Sequence, residues 1–390
     1  MIKVAVLGYG VVGSGVVKFI AKNHGHIKQN ASQNITIKYV LDKPDVLNRL
    51  NQRDNPANDI IYTANFADIL EDAEVQIIIE AMGGINPAYD FAKQALQKGK
   101  HFCTSNKELV ITHGAELAEI ARRNNLGFMF EASVGGGAPI IRPMNFTLQL
   151  TNVTEISGIL NATSNYILST MTNTNTTYVT ALQTAQELGY TEKNPLEDVS
   201  GTDAARKLAI LLSLTTGKQI NFTDIYTEGI THITREDFDF AQEFGFTIKP
   251  VTWAYINQTG IHAISAPMLV YRRNPLASTS NVFNCAILKS DSAGTTMFYG
   301  EGAGKIPTAA AIISDVIDIA KNINNPINAT WSPEKATLAP FSQFACRKIV
   351  QVASRSYHTF ITALETETET AETLKNTDVS RVFRIYGYDQ

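Results

Sequence analysis

Apolar positions recur along this chain in two different rhythms. From Ile2 to Leu7 they form a short run, cut at Gly8 by a glycine-rich turn, after which Val12, Val16, Phe19 and Ile20 return at helical spacing. Ile35, Ile37, Tyr39 and Leu41 alternate with polar neighbours, the pattern of a strand. Further apolar runs lie at Ile60 to Tyr62, Val75 to Ile79, His101 to Thr104 and Phe128 to Phe130, and helical patterns over Pro87 to Lys98 and Leu109 to Asn124 separate the later ones. Strand and helix in alternation, joined by short connections, predict an α/β domain on a doubly wound parallel sheet over residues 1–135.

After the glycine run at 135–137 the rhythm changes. A Thr/Asn-rich stretch at Thr170 to Thr177, a strongly apolar helix over Ala204 to Leu214 and strand-like runs between Val251 and Phe298 predict a separate α+β domain at 136–304. A late helix, Pro307 to Ala320, has the composition of one that packs back on the first domain, so 305–322 is expected to complete it. Residues 325–390 read as a C-terminal appendage whose Glu-Thr repeat, Glu365 to Glu369, is low-complexity.

Composition narrows the function. The 390 residues allow two or three domains, and 44% apolar content excludes a disordered chain. A net charge of −4 argues against a nucleic-acid or membrane-surface binder, and no apolar run reaches the roughly 18 residues of a membrane span. Three scattered cysteines without C-x-x-C spacing fit a reducing compartment and argue against both a disulfide scaffold and a zinc site. A cytoplasmic protein acting on a small molecule is expected.

Gly8-Tyr9-Gly10-Val11-Val12-Gly13 fits G-x-G-x-x-G, and it sits between the first strand and first helix, where that motif cradles a dinucleotide pyrophosphate. Asp42 ends the second strand, where a carboxylate bonds the ribose of NAD. It favours NAD over NADP, although Lys43, Arg49 and Arg53 follow closely. Three segments share the rim beyond the strand ends. Glu80 to Gly84 places the bare backbone of Gly83 near a cofactor, and Thr104-Ser105-Asn106-Lys107 adds a lysine that holds substrate or passes a proton, or is merely solvated. Glu131 to Ala138 joins a carboxylate to glycine carbonyls, which suits a monovalent cation, an interdomain hinge, or both.

The richest segment runs from Leu188 to Lys207. Asp203 and Lys207 are four residues apart on one face of an otherwise apolar helix, so a partly desolvated lysine held by an acid is expected, poised for proton transfer or serving as a structural ion pair. Glu192 and Asp198 lie in the preceding loop, as acceptors for a substrate ammonium or as solvated acids.

Taken in order, the glycine loop, Ser105-Asn106-Lys107, Glu131 to Ile141, Gly158 to Leu168, Leu188 to Lys207, and Gly302-Ala303-Gly304 with Pro307-Thr308-Ala309 resemble homoserine dehydrogenases over roughly residues 1–320. The resemblance implies a Rossmann domain and a substrate-binding and dimerisation domain, assembled as a homodimer or dimer of dimers. It implies NAD(P)-dependent interconversion of L-homoserine and L-aspartate 4-semialdehyde, on the way to threonine and methionine. Lys207 then matches the proton donor, Lys107 a second active-site lysine, Asp203 the acid beside the helix lysine and Glu192 the substrate-binding glutamate. Glu131 with the carbonyls of Val134, Gly136 and Ala138 matches a sodium site, and Gly302 falls in the segment that closes over the nicotinamide.

Asn194 stands where many relatives have aspartate, Ala162 replaces a usual glycine, and Leu41 occupies a position that NADP-preferring relatives often give to arginine. Residues 340–390 are short for the regulatory ACT domain of many bacterial relatives and lack its glycine signature, with Arg347 to Val352 and Arg381 to Tyr386 as remnant strands. Three other readings compete. Sugar oxidoreductases usually show Glu-Lys-Pro where this chain has Asn106-Lys107-Glu108, a thiol-dependent aldehyde dehydrogenase would need an activated Cys103, and a dinucleotide sensor would not need both lysines.

Overall fold

The computed structural model describes residues 1–51, 60–191, 194–352, 358–375, 377 and 379–387. Glu192, Arg53 and the side chain of Arg49 lie outside the described residues. The chain opens with strands β1 (Ile2–Leu7), β2 (Ile35–Leu41), β3 (Ile61–Thr63), β4 (Val75–Glu80), β5 (His101–Thr104) and β6 (Phe128–Met129). Helices α1 (Val11–Ala31), α2 (Pro44–Asn51), α3 (Phe66–Leu70), α4 (Ala88–Gln97) and α5 (Lys107–Arg123) alternate with them. Next come α6 (Ile141–Leu148), β7 (Val153–Ile159), α7 (Ala162–Thr174), α8 (Tyr178–Glu187), α9 (Leu196–Val199) and α10 (Thr202–Thr216). Short strands β8 (Lys218–Gln219) and β9 (Tyr226–Thr227) and helix α11 (Arg235–Glu243) precede the hairpin β10 (Phe246–Asn257) and β11 (Gly260–Tyr271). Then follow α12 (Pro275–Ser278), the hairpin β12 (Phe283–Ser290) and β13 (Gly294–Glu301), and α13 (Lys305–Lys321). The described chain finishes with β14 (Ser332–Lys335), β15 (Ala345–Val352), β16 (His358–Ile361), β17 (Glu365–Thr366), α14 (Glu367–Thr373) and β18 (Val379–Tyr386).

These elements form two compact units. The first comprises Met1–Phe146, Thr216–Gln219 and Ala303–Lys335. Its sheet runs β3-β2-β1-β4-β5-β6, every pair parallel, which is the doubly wound dinucleotide-binding order. A parallel sheet covered on both faces needs strands apolar on both sides, and Val4, Val6, Ile77, Ile78 and Ile79 are fully buried. On one face Val16, Ile20 and Ile27 of α1 and Ile312, Val316 and Ile319 of α13 meet these strands. α1 and α13 approach closely because position 15 is glycine. A Cβ there would lie 2.7 Å from the Lys305 carbonyl oxygen.

The second unit comprises Thr147–Thr215, Ile220–Gly302 and Ala336 onward. Its sheet runs β13-β12-β7-β10-β11-β18-β15-β16, with β9 on β11 and β17 on β15. α7, α8 and α11 supply Ile167, Leu168, Ala181, Phe238 and Phe240 to a core with Phe246, Ile248 and Leu269 of the sheet. The C-terminal segment differs from the expected appendage. β18 lies between β11 and β15, parallel to the first at Leu269↔Ile385 and antiparallel to the second, so the tail continues this sheet rather than standing alone. The cause is apolar: Ile349, Val350, Ile385 and Tyr386 are buried there. No helix among the described residues is long and apolar enough to cross a membrane.

One buried histidine gives the first unit a pH limit. His101 of β5 accepts the Gly127 N–H on Nδ1 at 2.8 Å, and burial lowers its pKa to about 4. The unfolded chain therefore binds a proton that the folded one refuses between pH 6.5 and about 4, and stability falls as pH falls through that window. His101→Asn keeps an acceptor for Gly127 without the titration. Thermal melts from pH 7 to 4 should show a shallower decline for the variant, and parallel declines would contradict this origin.

Candidate active site

The first unit carries a cleft of about 1270 Å³ at the carboxyl ends of β1, β2 and β4, lined among others by Gly8, Gly10, Asp42, Lys43, Gly83 and Lys305. It lies where the strand order reverses, the place where open α/β sheets bind ligands. The glycine loop that borders it is dictated by space. A Cβ on Gly13 would fall 1.8 Å from the Gly8 carbonyl oxygen, so no other residue lets α1 start this close to β1. At Gly10 a Cβ would meet nothing within 4 Å, and α1 begins there without a side-chain cap, leaving backbone N–H groups for an anion. These features fit a nicotinamide dinucleotide.

Asp42 sits beside this loop. Its carboxylate accepts the Tyr9 N–H at 2.6 Å and the Lys43 N–H at 2.7 Å, one on each oxygen, so each oxygen keeps a lone pair for a ribose hydroxyl. Glu80, fully buried at the end of β4, shapes the next loop. It accepts the N–H groups of Met82 and Gly83 at 2.7 and 3.1 Å, and the Thr104 hydroxyl at 2.5 Å. Asn106 caps α5 through the Leu109 N–H and donates to the Gly84 carbonyl. Lys107 opens α5 directly after it, half-buried, with Ser105 just before. Gly8, Gly10, Asp42 and Gly83 line the cleft, whereas Val11, Val12, Gly13, Ser105 and Lys107 stand outside its lining. Lys18 and Lys305, not foreseen in the sequence, line it too.

Glu131 has a local task. Oε1 accepts the N–H groups of Ile140 and Ile141 at 2.6 and 2.9 Å, and Oε2 accepts that of Arg142 at 2.8 Å, so the carboxylate caps α6. Asp315 accepts the Glu131 N–H and pairs with Arg142; burial, and then the charge of Glu131, raises its carboxyl to about 8. Around Glu131 the buried loop carries Val134, Gly136 at φ +65° and Ala138. One carboxylate with a lone pair to spare and neutral carbonyls is a donor set for a singly charged cation, and the described residues hold no cluster of three His, Cys, Asp or Glu that would suit a transition metal.

The second unit brings together Asp198, Asp203 and Lys207. α10 is apolar nearly all round, with Leu208 to Leu212 fully buried, so it holds Lys207 at a fixed place. Lys207 Nζ lies 2.8 Å from Asp203 Oδ2 and donates to the Leu160 carbonyl at 2.8 Å, with its side chain 12% exposed. Asn161, the residue after Leu160, donates to Asp198 Oδ1 and to Asp203 Oδ2, both at 2.8 Å, and caps α7 through the Ser164 N–H. Thr191 donates to the other oxygen of Asp198 at 2.9 Å. Asp198 is thus held by neutral donors, and among the described residues no cation answers its charge. Gly302 packs on Asn284, where a Cβ would fall 2.2 Å from the amide carbon, and Asn284 donates to the same Leu160 carbonyl as Lys207.

Asn161 and Asn284 went unnoticed as single residues in the sequence. An asparagine between a strand and a helical run is a capping signal and could have marked Asn161. Nothing local marks Asn284. Cys103 is fully buried, and burial pushes its thiol well above the ordinary range, which removes the nucleophile a thiol mechanism requires.

Residues 8–131 match the family model described as homoserine dehydrogenase, NAD binding domain, and residues 139–317 match that described as homoserine dehydrogenase. The chain is 37% identical over 322 residues to a homoserine dehydrogenase of Bacillus subtilis, covering 83% of this chain and 73% of the relative. It is likewise 37% identical over 345 residues to one of Helicobacter pylori, covering 88% and 80%. A crystal structure of a homoserine dehydrogenase from Thiobacillus denitrificans superposes with a TM-score of 0.89 at 28% identity, over 98% of each chain.

Proposed function

The chain belongs to the homoserine dehydrogenase family of oxidoreductases, and on that premise we propose that it interconverts L-homoserine and L-aspartate 4-semialdehyde, a step toward threonine and methionine. The observation that carries the mechanism is the Lys207 ammonium held at 2.8 Å by both Asp203 and the Leu160 carbonyl. Those two partners occupy two of its three N–H donors, which leaves the third for the substrate oxygen. In the reducing direction Lys207 gives its proton to the oxygen that gains charge, and in the oxidising direction it takes that proton back. The bound nicotinamide supplies or accepts the hydride. Asp198, its charge unanswered by described cations, receives the substrate ammonium; Asp203 and Asn161 keep lysine and carboxylate apart at fixed distances. Lys107, half-buried at the start of α5, supports the substrate oxygen or carboxylate by charge.

NAD is the proposed cofactor in preference to NADP. Asp42 suits ribose hydroxyls and would repel a 2′-phosphate, while Leu41 offers it no guanidinium. Glu131 and the carbonyls of Val134, Gly136 and Ala138 would hold a sodium ion that ties the 131–138 loop together. A homodimer through the second unit is proposed from the resemblance; the exposed Met297 and Tyr299 on the edge strand β13 support it.

Replacing Lys207 with alanine should lower turnover of homoserine by about 10²–10⁴-fold with unchanged cofactor affinity, measured by steady-state absorbance and by fluorescence titration of the reduced nicotinamide. Near-normal turnover would refute the assignment. Asp42→Ala should shift the ratio of kcat/KM for NADP over NAD upward by about tenfold or more, because a charged hydrogen bond to the ribose is lost. An unchanged ratio would place the discrimination elsewhere. Sodium chloride should raise the thermal midpoint above that in tetramethylammonium chloride at equal ionic strength, and equal midpoints would argue against the cation.

A further inference from the structure

Arg384 of β18 is largely buried, and its guanidinium joins three separate segments. Nε donates to Glu367 Oε1 at 2.9 Å and Nη1 to Glu228 Oε1 at 2.8 Å. The cation lies 5.5 Å from the Tyr226 ring centre and 5.2 Å from that of Phe341, two rings stacked 3.5 Å apart. Tyr226 closes the group by donating its hydroxyl to Glu228 Oε1 at 2.6 Å, and Lys348 Nζ stands 3.5 Å from Glu367. Two cations and two carboxylates held largely out of water tolerate little displacement, since loss of one partner strands the charge of another.

Glu228 belongs to a segment pressed against the turn that carries the acids of the candidate site. Its N–H donates to the Ser265 carbonyl at 2.8 Å, and the Ser265 hydroxyl donates to the Gly201 carbonyl at 3.3 Å. The Ile230 N–H donates to the Val199 carbonyl at 2.9 Å. A Cβ on Gly229 would lie 2.6 Å from that same oxygen, and one on Gly201 would lie 2.9 Å from the Thr227 methyl. Val199 and Gly201 bracket the turn between Asp198 and Asp203. Segment 227–230 therefore has no slack against it, and any shift of Glu228 reaches the turn.

We propose that Arg384 is a positioning residue for the reaction. By clamping Glu228 it fixes 227–230 against 199–201, and so sets where Asp198, Asp203 and Lys207 stand. The inference rests on the reading of these three residues as the place where the amino-acid substrate reacts. It gives the C-terminal strand a part in turnover beyond completing the sheet.

Arg381 supplies the comparison, because it anchors the same strand elsewhere, 3.5 Å from Asp237 and donating to the Glu236 carbonyl, without touching Glu228. Arg384→Ala should lower kcat/KM for homoserine by about ten- to a hundredfold while the KM for the nicotinamide cofactor stays unchanged. Arg384→Lys should recover part of the loss. Arg381→Ala should keep wild-type kinetics even as its thermal midpoint falls. Wild-type kcat/KM in Arg384→Ala would overturn the proposal, as would an equal loss in Arg381→Ala. Should Arg384→Ala not fold, Glu228→Gln carries the same comparison, with a smaller loss expected and wild-type kinetics again contradicting it. A wild-type protein that fails to turn over homoserine would instead sink the reading of the reaction, so the two failures are separable.

Discussion

An ammonium group on a buried helix persists only where its charge is answered, and around Lys207 that requirement organises much of the second unit. Asp203, one helical turn before it, supplies the charge, and the Leu160 carbonyl at the end of β7 supplies a neutral acceptor. Each partner is itself held. Asn161 binds Asp203 and Asp198 together, and Asn284 shares the Leu160 carbonyl. α10, sealed on nearly every side by Leu208 to Leu212, prevents the lysine from leaving. A buried ion pair of this kind is a poor source of net stability, because desolvation consumes most of the attraction. In the proposed reaction its value is a fixed place for a proton.

The first unit follows a different constraint, that of backbone approach. Gly13 lets α1 begin against β1 and leaves its first N–H groups at the cleft, and Glu80 spends its carboxylate on the N–H groups of Met82 and Gly83, which fixes the second loop at the same cleft. Asp42 then adds a carboxylate at the end of β2, fixed beside the glycine loop by the N–H groups of Tyr9 and Lys43.

Much of this was legible in the sequence because it is local. The runs at Val75 to Ile79 and His101 to Thr104, and the Asp203 to Lys207 spacing, each state their own structure through period and neighbour. What escaped is non-local. Asn284 matters only because β12 runs beside β7, and no spacing announces that register. The tail misled for the same reason: Arg381 to Tyr386 alternates as a strand should, but that it enters the sheet between β11 and β15 depends on an edge supplied more than a hundred residues earlier. Glu131 read as a cation ligand from its glycine neighbours, while its three bonds to the start of α6 depend on how the loop folds back.

The most direct measurement is a crystal structure of the protein with homoserine and an unreactive nicotinamide analogue bound. The account predicts the Lys207 nitrogen within about 3 Å of the substrate hydroxyl oxygen while keeping Asp203, and the substrate ammonium on Asp198. A homoserine whose hydroxyl lies beyond reach of Lys207, with that nitrogen still committed to Asp203 and Leu160 alone, would contradict it.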